Sequence, residues 1–303
     1  MIARRSFLLA GAAALFATQA TAANTQQGKI KAVTSFSILG DLLRNVGGDR
    51  VEVETLVGPN GDVHVYSPTP GDARKLAAAK VVFVNGLGLE GWMTRLVAAS
   101  NAKAPMFVVS KGIAPRQMEE QEKSGRPTAI DPHAWQSVAD VKIYVANIRD
   151  GLIAVDPAGK AAYDANAQTY LAKLDKLENV VRAAIANIPA GRRKIITTHD
   201  AFGYFGAAYG MAFIAPEGVS TEAEPSAKDI AKIITQIRKQ KIPAVFLESI
   251  SDPRLMDQIA RETGAAVGGT LYSDALSEPG GPAATYIDMM RYNIRQFTKA
   301  LIG

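Results

Sequence analysis

The chain has 303 residues, 48% hydrophobic and 21% charged, with 34 Lys and Arg against 29 Asp and Glu. That is globular composition, and a net charge of +5 with no basic stripe interleaved with aromatics argues against a nucleic-acid partner. Cysteine is absent, which excludes disulfides, thiolate catalysis, Cys-based zinc sites and lipidation at a mature N-terminal Cys.

The first element is a targeting segment. "MIARRSFLLAGAAALFATQATAANTQQ" has a positive start, an apolar run and small residues near position 22, the three-part form of a secretory signal. The pair Arg4-Arg5 ahead of Ser6-Phe7-Leu8-Leu9 also suits twin-arginine export. The run from Phe7 to Ala17 is short for a membrane span. The expectation is cleavage after Ala22 and a mature protein that is periplasmic, soluble and not lipid-anchored.

From residue 29 the pattern alternates. "KIKAVTSFSIL", "VEVETLV", "VVFVNGL" and "APMFVVSKG" are short apolar, β-branched runs, separated by stretches with helical spacing such as "GDLLRNVGGD" and "TPGDARKLAAAK". Strands alternating with helices imply βαβ units and a parallel sheet. Then "DPAGKAAYDANAQTYLAKLDKLENVVRAAIANIPAG" places Asp156 as N-cap and Pro157 at the first helical position. Apolar residues at Tyr163, Ala167, Tyr170, Leu174, Leu177, Val181, Ile185 and Ile188 recur in steps of three and four. With no Gly or Pro between Lys160 and Ile188, this predicts a single helix of about 32 residues, ~48 Å long, ending at Pro189-Ala190-Gly191. Strand-like runs then resume in "RKIITTHD", "MAFIAPEGV", "PAVFLES" and "AAVGGTLYSD", with "SAKDIAKIITQIRKQK" and "DPRLMDQIARETG" as helices. The predicted organisation is a signal over 1–22, an N-terminal α/β lobe over 23–155, a long linking helix over 156–190 and a C-terminal α/β lobe over 191–303. Sites in such sheets lie at the carboxyl ends of strands, here in the cleft between two lobes.

The chain has three histidines, and each follows an apolar run or sits in the loop after one. His64 lies in "LVGPNGDVHVYSPTP", His133 in "DPHAWQ" and His199 in "KIITTHDAFGYF". Imidazole suits zinc, copper, nickel or iron, usually with a fourth ligand. Asp274 in "GGTLYSDALSEPGG" is the best placed carboxylate, at the end of the last strand. Asp200 competes for that place, Glu248 ends another strand, where it can support a ligand without touching the metal, and Asp62 and Asp131 are placed to orient an imidazole through its other nitrogen. Trp135, Phe202 and Phe205 read as core or cleft packing.

These segments together, with "DPHAWQSV", "TTHDAFGYFGAAYGM", "LYSDAL" and "YIDMMRYNIRQFTKAL" the most specific, resemble the periplasmic zinc- or manganese-binding components of ABC importers, the zinc-uptake type of solute-binding protein, over roughly residues 29 to 303. The resemblance implies two α/β lobes joined by a rigid helix, with one metal between them. It makes His64 and His133 the N-lobe ligands and His199 and Asp274 the C-lobe ligands. It implies a monomer that delivers its ion to a membrane permease with a cytoplasmic ATPase, with a periplasmic metallochaperone as a further candidate partner. Many manganese-specific relatives have Glu where this chain has His199. Many zinc-specific relatives carry a His- and Asp-rich loop before the second ligand, where residues 114–130 here hold no histidine. Three imidazoles and one carboxylate suit tetrahedral Zn(II), and zinc outranks manganese on nitrogen donors. A second oxygen from Asp274 raises the coordination number toward what Mn(II) accepts, so Mn(II) is the alternative cargo. A three-His zinc hydrolase needs an open fourth position and a base such as Asp200 or Glu248; the chain has no HExxH, GxSxG or phosphate loop. Nothing in the sequence supports an adhesin-like surface role, and the expectation is a binding protein, not an enzyme.

Overall fold

The computed structural model describes residues 28–117, 130–218, 220–222 and 225–302. The signal over 1–22 and most of the stretch 114–130 lie outside the described residues. Two four-stranded parallel sheets carry the architecture. The first contains β1 (Ile30–Phe36), β2 (Val51–Val57), β3 (Val81–Val84) and β4 (Met106–Val108) in the order β2-β1-β3-β4. Its register pairs Ile30 with Val51 and Ala32 with Val81. The second contains β7 (Lys194–Ile196), β8 (Ala212–Ile214), β9 (Ala244–Glu248) and β10 (Ala266–Leu271) in the order β10-β9-β7-β8. A two-stranded antiparallel ladder of β5 (Arg116–Gln117) and β6 (Ile130–Asp131) stands apart from both sheets. In each large sheet the chain reverses its direction of winding beside the first strand. That reversal opens a crevice at the carboxyl ends of the strands.

The helices follow local signals. α1 (Ser37–Gly47) continues straight from β1. α2 (Pro70–Ala78) starts with a capping box, in which the Thr69 hydroxyl accepts the Asp72 N–H and the Asp72 carboxylate accepts the Thr69 N–H. α3 (Met93–Ser100) follows β3. α4 (Val138–Val155) is capped by Ser137.

The long helix is shorter than its sequence pattern suggests. A 3₁₀ turn over Pro157–Gly159 leads into α5, Lys160–Ala186, of 27 residues, about 40 Å at 1.5 Å per residue. Asp156 does not cap it. Its carboxylate instead accepts from Arg50 Nε at 3.0 Å, Arg50 Nη2 at 2.8 Å and the Tyr163 hydroxyl at 2.7 Å. The apolar seam is where the spacing places it: Tyr163, Ala167, Tyr170, Leu174, Leu177, Val181 and Ile185 are buried. After α5 come α6 (Gly203–Tyr209), α7 (Ala227–Gln240), α8 (Arg254–Thr263) and α9 (Tyr286–Ile302). α9 packs on β10, on α5 and on α1, so the C-terminal helix touches both lobes and the link between them.

The main core follows that route. It runs from Phe36, Leu42 and Phe83 through Trp135, Tyr144 and Leu174 to Phe205, Phe246 and Phe297. A second, smaller core of Ile196, Ile233, Ile237, Val245, Met256 and Ile259 lies between β7, β9, α7 and α8. We take the lobe boundaries at 155/156 and 190/191 as a proposal, because the main core is continuous across them.

Burial pushes the Asp156 carboxyl up, but the Tyr163 hydroxyl and the Arg50 guanidinium more than offset this and hold it below its ordinary 3.8. A carboxyl depressed in the fold stabilises above its unfolded value and stops doing so as pH falls through the folded value. Asp156→Asn should therefore cost roughly 1–3 kcal/mol at pH 7, read by urea unfolding. The gap to the parent chain should close below about pH 3.8. A gap that persists unchanged at low pH would show that packing, not charge, is involved.

Candidate metal centre

The four candidate side chains come from four strand ends. His64 lies in the loop after β2. Its N–H donates to Asp62 Oδ1 at 2.8 Å, and the Trp92 indole N–H holds the neighbouring Val63 carbonyl at 2.9 Å. His133 follows β6, where Asp131 Oδ1 accepts both the His133 backbone N–H at 2.9 Å and its ring Nδ1–H at 2.8 Å. Gly203, the first residue of α6, permits that turn: a Cβ there would lie 2.4 Å from Asp131 Oδ2.

His199 follows β7. Glu248, the last residue of β9, accepts the Thr198 and His199 backbone N–H groups on Oε1 at 2.8 and 3.0 Å. Its Oε2 lies 2.6 Å from His199 Nδ1, at an angle too bent for a straight hydrogen bond. Asp274 follows β10. The preceding Ser273 carbonyl is held by Trp135 Nε1 at 2.8 Å and Gln136 Nε2 at 2.7 Å, both from the first lobe.

The donor atoms face one another. His64 Nε2 is 3.2 Å from His133 Nε2 and 3.1 Å from Asp274 Oδ2, and His199 Nε2 is 3.0 Å from Asp274 Oδ2. One donor atom from each of the four residues falls within 4.8 Å of all the others. Metal–nitrogen bonds of about 2.0 Å set tetrahedron edges of ~3.3 Å, close to these separations. His133, His199 and Asp274 are fully buried. His199 Nε2 and Asp274 Oδ1 are buried without a hydrogen-bond partner, and such groups are rare unless an ion or water serves them.

The charges are strongly coupled. Burial pulls the His133 imidazolium down, but Asp274 and then Asp131 push further the other way and hold it at about 9. Burial acts the same way on His199, where Glu248 and Asp274 hold it well above its ordinary value. Burial pushes Asp274 up, yet the His199 and His133 imidazoliums keep it well below the usual carboxylate range.

Of the competing carboxylates, Asp200 does not join the four. It lines a neighbouring cavity of about 440 Å³ with Arg116, Phe202 and Gly203. Asp131 does orient an imidazole; Asp62 holds the His64 backbone N–H. Trp135 is more than packing, since its indole N–H fixes the residue before Asp274. Gln136 and Ser273 escaped the sequence reading, although Gln136 lies in the same short motif as His133. Arg116, whose Nε is 3.9 Å from Asp131 Oδ2, gave no signal in the sequence.

A family model described as zinc-uptake complex component A, periplasmic, matches residues 32–300. The chain belongs to this family. It is a metal-binding component of an ABC importer and not an enzyme, so its partners are a membrane permease and an ATPase. A manganese-binding lipoprotein of Halalkalibacterium halodurans is 36% identical over 90% of this chain and 88% of its own length. An iron-binding protein of Yersinia pestis is 35% identical over 97% and 94%. The solved periplasmic zinc-binding protein of Treponema pallidum superposes with a TM-score of 0.84 at 32% identity, over 90% of this chain and 99% of that one. The two lobes and the long linking helix are thus the family's fold.

These relatives correct one expectation. The Halalkalibacterium protein is named a lipoprotein, as are several streptococcal relatives, so the expectation of a chain without a lipid anchor does not stand. The lack of cysteine bears on one anchoring chemistry only.

Imidazole coordinates in its neutral form, so protons compete with metal. His133 is held at about 9 and His199 is shifted in the same direction, so metal has to displace protons from this pair. Metal uptake at pH 7 should release at least about one proton per ion. Calorimetry in buffers of different ionisation enthalpy reads this directly, and release of fewer than about half a proton would contradict the coupling.

Proposed function

We propose that the chain captures one divalent first-row transition metal through His64, His133, His199 and Asp274, and that it binds zinc more tightly than manganese. The observation that carries this reading is the convergence of three imidazoles and one carboxylate in a buried pocket, two of whose polar atoms have no hydrogen-bond partner. All four places are filled by protein donors. A closed site suits capture, whereas catalytic zinc keeps a position open.

The order of affinities follows from donor type. Intrinsic affinity on nitrogen ligands rises from manganese to zinc. The zinc-binding Treponema relative supports zinc as cargo. The manganese-binding Halalkalibacterium relative supports a second reading, in which manganese is the ion carried. Asp274 Oδ1, 3.7 Å from His133 Nε2, supplies the fifth donor that manganese would use. The two readings agree on the site and differ in the cargo, which metal supply also decides.

Purified, metal-stripped mature protein should take up one ion, zinc or manganese, and zinc should displace manganese. His199→Ala should weaken zinc by at least about 10-fold, an effect no smaller than that of losing an outer-shell partner. Elemental analysis and competition against a chromophoric chelator measure both. Manganese that zinc cannot displace would overturn the affinity order, and binding of neither metal would overturn the site.

A further inference from the structure

A divalent ion in a dry pocket is stable only where buried negative charge matches it. Neutral imidazoles contribute none, and Asp274 contributes one negative charge. The second must come from a carboxylate that does not touch the ion.

Three candidates surround the four ligands. Asp62 is only partly buried and is hydrogen-bonded to the Thr221 hydroxyl at 2.6 Å, so solvent screens it. Asp131 is buried, but the Arg116 guanidinium beside Oδ2 supplies its counter-charge. Glu248 is 3% exposed. Among the described residues no Lys or Arg nitrogen lies within 4.0 Å of it, and His199 is the one basic group in contact.

We infer that Glu248 is a positioning residue that completes the charge balance for a divalent cation through His199, without contacting the ion. The inference rests on the reading of the four side chains as metal ligands. Three things follow from its geometry. Oε1 anchors the strand end through two backbone N–H groups. Oε2 lies 2.6 Å from Nδ1, and a negative charge that close favours the proton on Nδ1 over Nε2, leaving the Nε2 lone pair for metal. Asp274 and Glu248 together carry two negative charges, so the loaded pocket is neutral with a divalent ion.

A glutamine at this position has nearly the same shape. Its carbonyl can still accept the two backbone N–H groups, but its amide then presents N–H to Nδ1. That contact favours the proton on Nε2, the nitrogen metal needs. Shape is kept, while charge and tautomer are both lost. An aspartate keeps the charge on a shorter arm.

The test compares the parent chain, Glu248→Gln and Glu248→Asp for zinc and manganese by chelator competition on the mature protein. Glu248→Gln should bind zinc about 10–100-fold more weakly, with Glu248→Asp recovering part of the loss. Cobalt(II) loaded into the site should show a shifted visible spectrum in Glu248→Gln. Affinity of Glu248→Gln within about twofold of the parent would overturn the inference. So would a Glu248→Asp chain as weak as the Gln variant, since geometry would then outweigh charge. If Glu248→Gln does not fold, Glu248→Asp decides alone: affinity between that of the parent and that of His199→Ala supports the role, and a loss equal to that of His199→Ala removes it. A parent chain that binds neither metal would instead refute the ligand reading, a separate failure.

Discussion

Asp274 is fully buried, and a carboxylate in that position demands positive charge around it. Most of the pocket is a response to that demand. His64 and His199 bring Nε2 within 3.1 and 3.0 Å of its Oδ2, and His133 Nε2 stands 3.7 Å from Oδ1. Each imidazole that answers the charge is then fixed from behind. Asp131 grips His133 by ring and backbone, while Glu248 accepts the His199 backbone N–H and sets its other oxygen 2.6 Å from the ring Nδ1. His64 is held through its backbone by Asp62. Protons on the imidazoles and a divalent metal are therefore alternative solutions to one electrostatic problem.

The same demand explains why the lobes are joined so closely at this point. Trp135 and Gln136 reach across to the Ser273 carbonyl, and the Tyr286 hydroxyl donates back to the Trp135 carbonyl at 2.9 Å. The Asn60 N–H donates to the Leu276 carbonyl, and the Leu276 N–H to the Ser37 hydroxyl. Each bond crosses the cleft within a few residues of a candidate ligand. Donor separations near 3 Å need positioning that a loosely hinged pair of lobes would not supply, and the continuous core through α4, α5 and α9 provides it. Rigidity in the helix and precision at the pocket are one property seen at two scales.

Much of this is legible in the sequence because strand ends announce themselves. His199 terminates an apolar run, His64 sits in a Gly- and Pro-rich loop after another, and Asp274 follows the last strand, so these candidate ligands can be picked out without coordinates. The buried seam of α5 is equally plain in its three-four spacing. What escapes is tertiary. Asp156-Pro157 has the local chemistry of a helix start, but Arg50, 106 positions away, captures the carboxylate, and a 3₁₀ turn takes the place of the cap. Glu248 could be suspected as an orienting group, but its lack of a cation partner could not. Arg116 has no motif at all, and it meets Asp131 only because the β5–β6 ladder sets the two residues opposite each other.

Donor chemistry also explains why a pocket of this kind does not by itself fix the ion. Imidazole donors in general favour zinc over manganese. Asp274 works against this preference, because Oδ1 is buried with no hydrogen-bond donor to hold it. A carboxylate anchored at one oxygen and unengaged at the other can serve as one ligand or two. With one it closes a tetrahedron, and with two it meets an ion that prefers more oxygen and a higher coordination number. Discrimination then depends on how firmly the Ser273 clamp limits rotation of Asp274. The hydrogen bonds from Trp135 and Gln136 to the Ser273 carbonyl hold the residue before Asp274 and so limit the orientations its carboxylate can take.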